Sequence, residues 1–151
     1  MISVNTTSVL RIIKHFYGSI HSRKPFYTAV MVSIAGFMSS PFFSVYGASK
    51  AALKIFIESV NVELKKSGTD NRILNVSPGR INGTNFYNGA NNLSLLYPLA
   101  DEIIYHMNNR NDLFIPEYEE VFKKVLERYH RDFRAEGEHS YEYKQEQLKR
   151  K

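Results

Sequence analysis

Two short apolar runs, residues 26–32 and 72–76, bracket a helix-length stretch at residues 46–66, and this order constrains the fold more than any other feature of the chain. The first run carries Phe26, Val30, Met31 and Val32 with little polar alternation, which predicts a strand with both faces buried in a parallel sheet. Arg72-Ile73-Leu74-Asn75-Val76 predicts a second strand, broken by Pro78-Gly79. Between them the spacing predicts a helix with Ala48, Ala51, Ala52, Ile55, Phe56, Ser59, Val60 and Val62 turned inward, stopped at Ser67-Gly68. Upstream, Val9, Leu10, Ile12, Ile13, Phe16, Tyr17 and Ile20 recur every three or four residues and mark an amphipathic helix over residues 2–21. Downstream, Leu99, Ile103, Ile104 and Met107 mark another helix before a short strand at 113–115. A last helix follows, with Tyr118, Val121, Phe122, Val125, Leu126, Tyr129 and Phe133 inward. The expected class is therefore α/β. Residues 1–134 read as one domain, and the polar residues 135–151, interrupted by Gly137, as a flexible tail.

Composition narrows the function classes. The 151 residues contain no cysteine, which removes disulfides and thiolate metal sites and suits a reducing cytoplasm. The longest mostly apolar run, residues 26–38, falls short of the roughly 20 residues that a bilayer span needs, so no membrane span is expected. The net charge of +5 is uneven: residues 1–100 hold ten Lys or Arg against three acids, and the remainder ten against twelve. The basic residues are scattered without a dense stripe, which reads as solvated helix faces and not as a nucleic-acid surface. Histidines 15, 21, 106, 130 and 139 show no metal-ligand spacing, and Glu58 and Glu63 read as exposed partners of neighbouring cations.

The chemistry-bearing residues lie where the predicted strands end. Tyr46 and Lys50, in Ser44-Val45-Tyr46-Gly47-Ala48-Ser49-Lys50, are four residues apart and share a helix face, where an ammonium favours the ionised phenol. A tyrosine so placed can move protons near neutral pH. Ser33 precedes it at the end of Ala29-Val30-Met31-Val32, where its hydroxyl can stabilise charge on a reacting oxygen or simply cap a loop.

Strand-end serine, tyrosine and lysine in this order resemble the catalytic residues of the short-chain dehydrogenase/reductase family. Asn5 in Val4-Asn5-Thr6-Thr7 matches the helix asparagine that completes the family tetrad; near the terminus it could also be a helix cap. Ser33-Ile34-Ala35-Gly36 and Pro41 match the stretch after the serine-bearing strand, and Asn75-Val76-Ser77-Pro78-Gly79-Arg80-Ile81 the strand and turn that pass over the nicotinamide. The resemblance covers residues 1–116. It implies NAD or NADP as cofactor and a small secondary alcohol or ketone as substrate. Asn5, Ser33, Tyr46 and Lys50 would be catalytic, with Tyr46 as general acid/base and Lys50 on the nicotinamide ribose. Pro78, Gly79 and Ile81 would shape the nicotinamide pocket, and Thr84 stands one residue after the usual carboxamide-contacting threonine position, which Gly83 occupies. The segment 80–97, with Asn85, Phe86, Tyr87, Asn88, Asn91, Leu95 and Tyr97, reads as the substrate flap of an open α/β sheet.

The Gly-x-x-x-Gly-x-Gly turn, whose amides hold the pyrophosphate in the family, does not occur in these residues. The expected fold is thus the second half of a Rossmann-type doubly wound parallel sheet, lacking the N-terminal dinucleotide-binding strands. Two functional expectations follow: an NAD(P)-dependent oxidoreductase, or a truncated, non-catalytic remnant or assembly subunit that cannot hold cofactor alone. An unpaired apolar strand at 26–32 and the family's helix-mediated dimer both point to a homo-oligomer.

Overall fold

The computed structural model of the chain describes residues 1–85 and 91–149. Phe86, Tyr87 and Asn88 of the expected flap lie outside the described residues. A π-helical turn, Ser3–Thr7, leads into α1 (Ser8–His21), followed by β1 (Thr28–Met31), α2 (Ser44–Ser67) and β2 (Ile73–Val76). Next come α3 (Tyr97–Asn108), β3 (Leu113–Phe114), α4 (Lys123–Arg131) and α5 (Phe133–Lys149). The three strands form a parallel sheet in the order β1-β2-β3, with Thr28 opposite Ile73, Met31 opposite Val76 and Val76 opposite Phe114.

The main core lies where α1 and α2 meet the sheet: Ile13, Ile20, Val30, Val32, Leu53, Ile57, Val60, Leu64 and Ile73 pack into one cluster. Each fully buried Leu or Ile contributes about 1.5–3 kcal/mol by leaving water. Polar clasps set the register of this assembly. Asn61, buried in α2, donates to the Ile73 carbonyl and accepts from the Ile73 amide, both at 2.9 Å, and so locks the helix to the first residue of β2. Asn71 accepts from the Phe26 amide and donates to the carbonyls of Ser22 and Lys24, which ties the loop after α1 to the entry of β2. Gly68 ends α2 in a left-handed conformation (φ 80°), as a glycine at that position permits.

Two expectations about burial are corrected. β1 is not covered on both faces: Val30 is buried, but Ala29 and Met31 on the opposite face are exposed, because α1 and α2 pack on the Val30 face; β1 is also an edge strand, with no further strand paired to it among the described residues. The buried face of α2 is also rotated from the expected one. Gly47, Ser49, Leu53, Ile57, Val60, Asn61 and Leu64 face inward, whereas Ala48, Ala52, Ile55, Ser59 and Val62 are exposed. Apolar residues surround this helix, so periodicity could not choose the face; contact with the sheet and α1 did.

The C-terminal stretch, polar enough to read as a tail, forms α5 over Phe133–Lys149. Asp132 starts it, its Oδ1 accepting from the amides of Arg134 and Ala135. A second small core of Ile34, Ile115 and Leu126, flanked by Phe37, Met38 and Phe122, joins α4 to the loop beyond β1. No helix among the described residues is long and apolar enough to cross a membrane.

Candidate functional site

β1 ends at the loop that carries Ser33. The Val32 amide still donates to Val76, and the Ile34 amide donates to Pro78, so the first residues beyond the strand stay in register with the β2 exit. Ser33 is buried; its Oγ accepts from the Ala35 amide at 3.2 Å and makes a long contact of 3.5 Å to the Pro78 carbonyl. The serine thus does cap the loop, one of its two expected roles. The loop then runs directly against α2. A Cβ on Gly36 would stand 2.8 Å from the Lys50 carbonyl carbon, and one on Gly47 would stand 3.1 Å from the Ala35 oxygen. Two glycines therefore let the serine-bearing loop approach the turn of α2 that carries Tyr46 and Lys50. The sequence reading matched Gly36 to a family stretch but did not recognise this close approach.

Lys50 is half-buried, with Nζ 5.7 Å from the centre of the Tyr46 ring and donating to the Met31 carbonyl at 2.8 Å. Burial pushes its pKa below the usual lysine value by disfavouring the charged form. Behind this turn, the Asn5 side-chain amide donates to Ser49 Oγ at 3.3 Å, and Thr6 Oγ1 donates to the Ser49 carbonyl at 3.0 Å. Asn5 is therefore no helix cap: it braces the residue that precedes Lys50. Pro78 is buried, and Gly79 lies beneath the Phe122 ring, where an added Cβ would come within 2.4 Å of the ring tip. Thr84 Oγ1 donates to the Ile81 carbonyl at 2.9 Å. Gly83 has a φ of +81°, a left-handed backbone that disfavours a threonine at that position.

A cavity of about 450 Å³ opens over this arrangement. Ser33, Tyr46 and Gly79 line it; Asn5, Lys50, Pro78, Ile81 and Thr84 do not. Nor do Asn85, Asn91, Leu95 and Tyr97 of the expected flap, all four of which are exposed. The outer wall comes instead from α4, α5 and the turn before them, through Val121, Phe122, Val125, Arg128, Glu136 and Tyr143 among others. Sequence reasoning missed this wall because the polar residues dominate α5. The available signals were Asp132 as a helix start and the tyrosines at 141 and 143. Among the described residues no cluster of His, Asp or Glu could hold a metal ion.

A family model described as short chain dehydrogenase matches residues 1–92, a span that includes Asn5, Ser33, Tyr46, Lys50 and Thr84. The uncharacterized oxidoreductase TDA5 of Saccharomyces cerevisiae is 38% identical over 80 residues, which are 52% of this chain and 24% of that protein. The uncharacterized short-chain type dehydrogenase/reductase y4eK of Sinorhizobium fredii is 32% identical over 90 residues, 60% of this chain and 35% of its own length. The chain thus spans about a quarter to a third of these relatives. Among solved structures, the apo form of LigD from Sphingobium sp. strain SYK-6 superposes with a TM-score of 0.68 at 26% identity, over 87% of this chain and 50% of that one. A short-chain dehydrogenase from Sphingobium yanoikuyae in complex with NADPH superposes with a TM-score of 0.55 at 20% identity, over 87% of this chain and 55% of its own, a likeness of fold. With the family match running from the π-helical turn past β2, over more than half of the chain, the chain belongs to the short-chain dehydrogenase family.

Proposed function

We propose that the protein acts as an oxidoreductase that moves a hydride between NAD or NADP and a secondary alcohol or ketone, with Tyr46 as general acid/base. The observation that carries this reading is the convergence of Ser33 and Tyr46 on one cavity, with the Lys50 ammonium against the Tyr46 ring. The residues present suit the nicotinamide end of such a cofactor. Lys50 gives one donor to Met31 and retains two for ribose hydroxyls, and Gly79 borders the cavity without a side chain of its own, beneath the Phe122 ring. Pro78, Ile81 and Thr84 complete the nicotinamide side in this reading.

When bound, the nicotinamide supplies or receives the hydride. The chain does the rest. In oxidation, Tyr46 takes the hydroxyl proton as the carbinol carbon gives up hydride and its electron pair, and a C=O bond forms. Reduction reverses each transfer. Ser33 turns its hydroxyl from the long Pro78 contact to the reacting oxygen and steadies its charge. Lys50 stands with its ammonium against the Tyr46 ring, and Asn5, through Ser49, holds the Lys50 turn.

Oxidation of a panel of secondary alcohols with NAD and NADP tests this reading. Tyr46→Phe should lower turnover by about 10²-fold or more with cofactor affinity nearly unchanged. Equal turnover by Tyr46→Phe and the parent, or no nicotinamide-dependent turnover by the folded protein, overturns the reading. The exposed stripe of Val45, Ala48, Ala52, Ile55 and Val62 on α2 supports assembly as a homo-oligomer. Light scattering across concentrations checks it, and a monomer at all of them rejects it.

A further inference from the structure

We propose that the cavity takes a secondary alcohol or ketone that also carries a carboxylate, and that Lys144 on α5 binds this carboxylate; this rests on the reading of Ser33 and Tyr46 as the reacting end. The volume of about 450 Å³ lies within the roughly 300–1,000 Å³ of small-molecule sites. Three cations line it, Arg80, Arg128 and Lys144, against one carboxylate, that of Glu136. Glu136 is buried and committed to Arg128, accepting from Nε at 2.6 Å and Nη2 at 3.1 Å. Arg128 is half-exposed and keeps the other three of its five N–H donors.

Lys144 has no such counterion. Its Nζ donates to Ser40 Oγ at 2.9 Å and to the Pro41 carbonyl at 3.2 Å, and stands 5.4 Å from the centre of the Phe43 ring, all neutral groups. Among the described residues no carboxylate pairs with it. Burial lowers its pKa, and no opposite charge works against that shift. One N–H of the ammonium is left for a ligand, and in this partly desolvated place a carboxylate would form a charge-assisted hydrogen bond with reduced competition from water.

The fold also fixes where this cation stands. Gly137, Tyr141 and Lys144 share one face of α5, four and three residues apart. A Cβ on Gly137 would lie 3.2 Å from Ser39 Oγ, and the Tyr141 ring stacks on Phe42 at 4.8 Å between centroids, so this face lies directly on the loop joining Ser33 to Tyr46. Ser40, which accepts from Lys144, packs in turn on Gly47, where an added Cβ would stand 3.5 Å from the Ser40 Cβ. The ammonium is thus held one side chain away from the turn that bears Tyr46.

The probes are 4-acetylbenzoate and its neutral analogue 4-acetylbenzamide, added at constant ionic strength to the full chain with ¹³C-labelled methionine methyls. Met38 lines the cavity and Met31 lies on the exposed face of β1, so the two methyls report where a probe sits. The carboxylate should shift the Met38 methyl, leave Met31 unmoved and bind about tenfold or more tighter than the amide. Lys144→Gln should abolish that preference with the amide's affinity kept within about twofold, and Lys144→Arg should retain it. Glu136→Gln, which removes the carboxylate from the lining, should widen the preference, and it decides the matter if Lys144→Gln does not fold. Equal binding of the two probes by the parent, a shift at Met31 in place of Met38, equal loss of both probes in Lys144→Gln, or a narrowed preference in folded Glu136→Gln overturns the proposal. So does inorganic phosphate binding beside Met38 more tightly than 4-acetylbenzoate, which would assign the cations to a phosphate. If 4-acetylbenzoate binds through Lys144 as expected while Tyr46→Phe leaves turnover unaltered, the catalytic reading fails and the carboxylate site stands.

Discussion

The two walls of the cavity are held by different forces. The wall bearing Ser33 and Tyr46 rests on a core in which Leu53, Ile57, Leu64 and Ile73 have 0% exposure, and on the backbone ladder of a parallel sheet. Among its described side chains, the wall bearing Arg128, Glu136 and Tyr143 has one buried aliphatic in its helices, Leu126, and is otherwise joined by an ion pair, a lysine clasp and a ring stack. Apolar burial is non-directional and collective, so it places a catalytic group firmly without fixing which substrate it meets. Polar links specify orientation, yet each contributes only about 0.5–1.5 kcal/mol net, so the outer wall should open more readily than the inner one.

The largest expected effect lies in the inner wall. Leu53→Ala should cost about 2–5 kcal/mol in urea unfolding, because it empties a fully buried site between α2 and the sheet. A loss below about 1 kcal/mol would break the contrast between the walls. Gly79→Ala comes next, since its Cβ would collide with the Phe122 ring where the walls meet. Displacing that ring should cost about 1–3 kcal/mol and shift the Met38 methyl in NMR spectra, as Met38 packs in the same small core as Phe122. An unshifted Met38 would mean that the two walls do not communicate through Phe122.

Glu136→Ala should have a smaller, more local effect, about 1 kcal/mol, by removing the bidentate partner of the half-exposed Arg128. Amide exchange should quicken in α5 and stay unchanged in β2. Equal acceleration in both elements would show one cooperative unit and not two.

The smallest effect concerns pH. Burial lowers the pKa of Lys144 in the folded chain from 10.5, so between that lowered value and 10.5 the unfolded chain holds more protons. Stability from this group therefore rises with pH through that window, and the cost of burying the charge is felt below it. Lys144→Gln should flatten the rise in Tm relative to the parent between neutral pH and about pH 10.5. Lys50, also lowered by burial, contributes a rise of the same sign in both proteins. An identical pH dependence of parent and variant would show that Lys144 is not desolvated by α5 and the loop it clasps.

Local pattern and spacing were enough to recover the strand–helix–strand order and the pairing of Tyr46 with Lys50. Apolar runs have strand length, the helix has a glycine stop, and residues four apart share a face whatever surrounds them. The inward face of α2 was not recoverable in this way: Ala48, Ile55 and Val62 are as apolar as a core face requires, yet the structure leaves them exposed. Asn61 shows why, since a polar side chain won the buried position by satisfying both backbone groups of Ile73. α5 escaped notice for a related reason. Its helix is secured by Asp132, by the Glu136 pair and by Lys144, contacts between residues 8 to 104 positions apart in the case of the last two, which no window of composition contains.

The sequence by itself therefore determined the α/β class, the family and the candidate residues for its chemistry, because these depend on residue type and short spacing. Tertiary structure alone decided which of them meet. Gly36 and Gly47 bring the serine loop onto the Tyr46 turn, and Asn5 braces Ser49. It also decided that α4 and α5, with Arg80 alone from the described part of segment 80–97, close the cavity. The physical reason is that hydrogen bonding and close approach depend on where distant backbone segments end, and that position is set only when the core between α1, α2 and the sheet has packed.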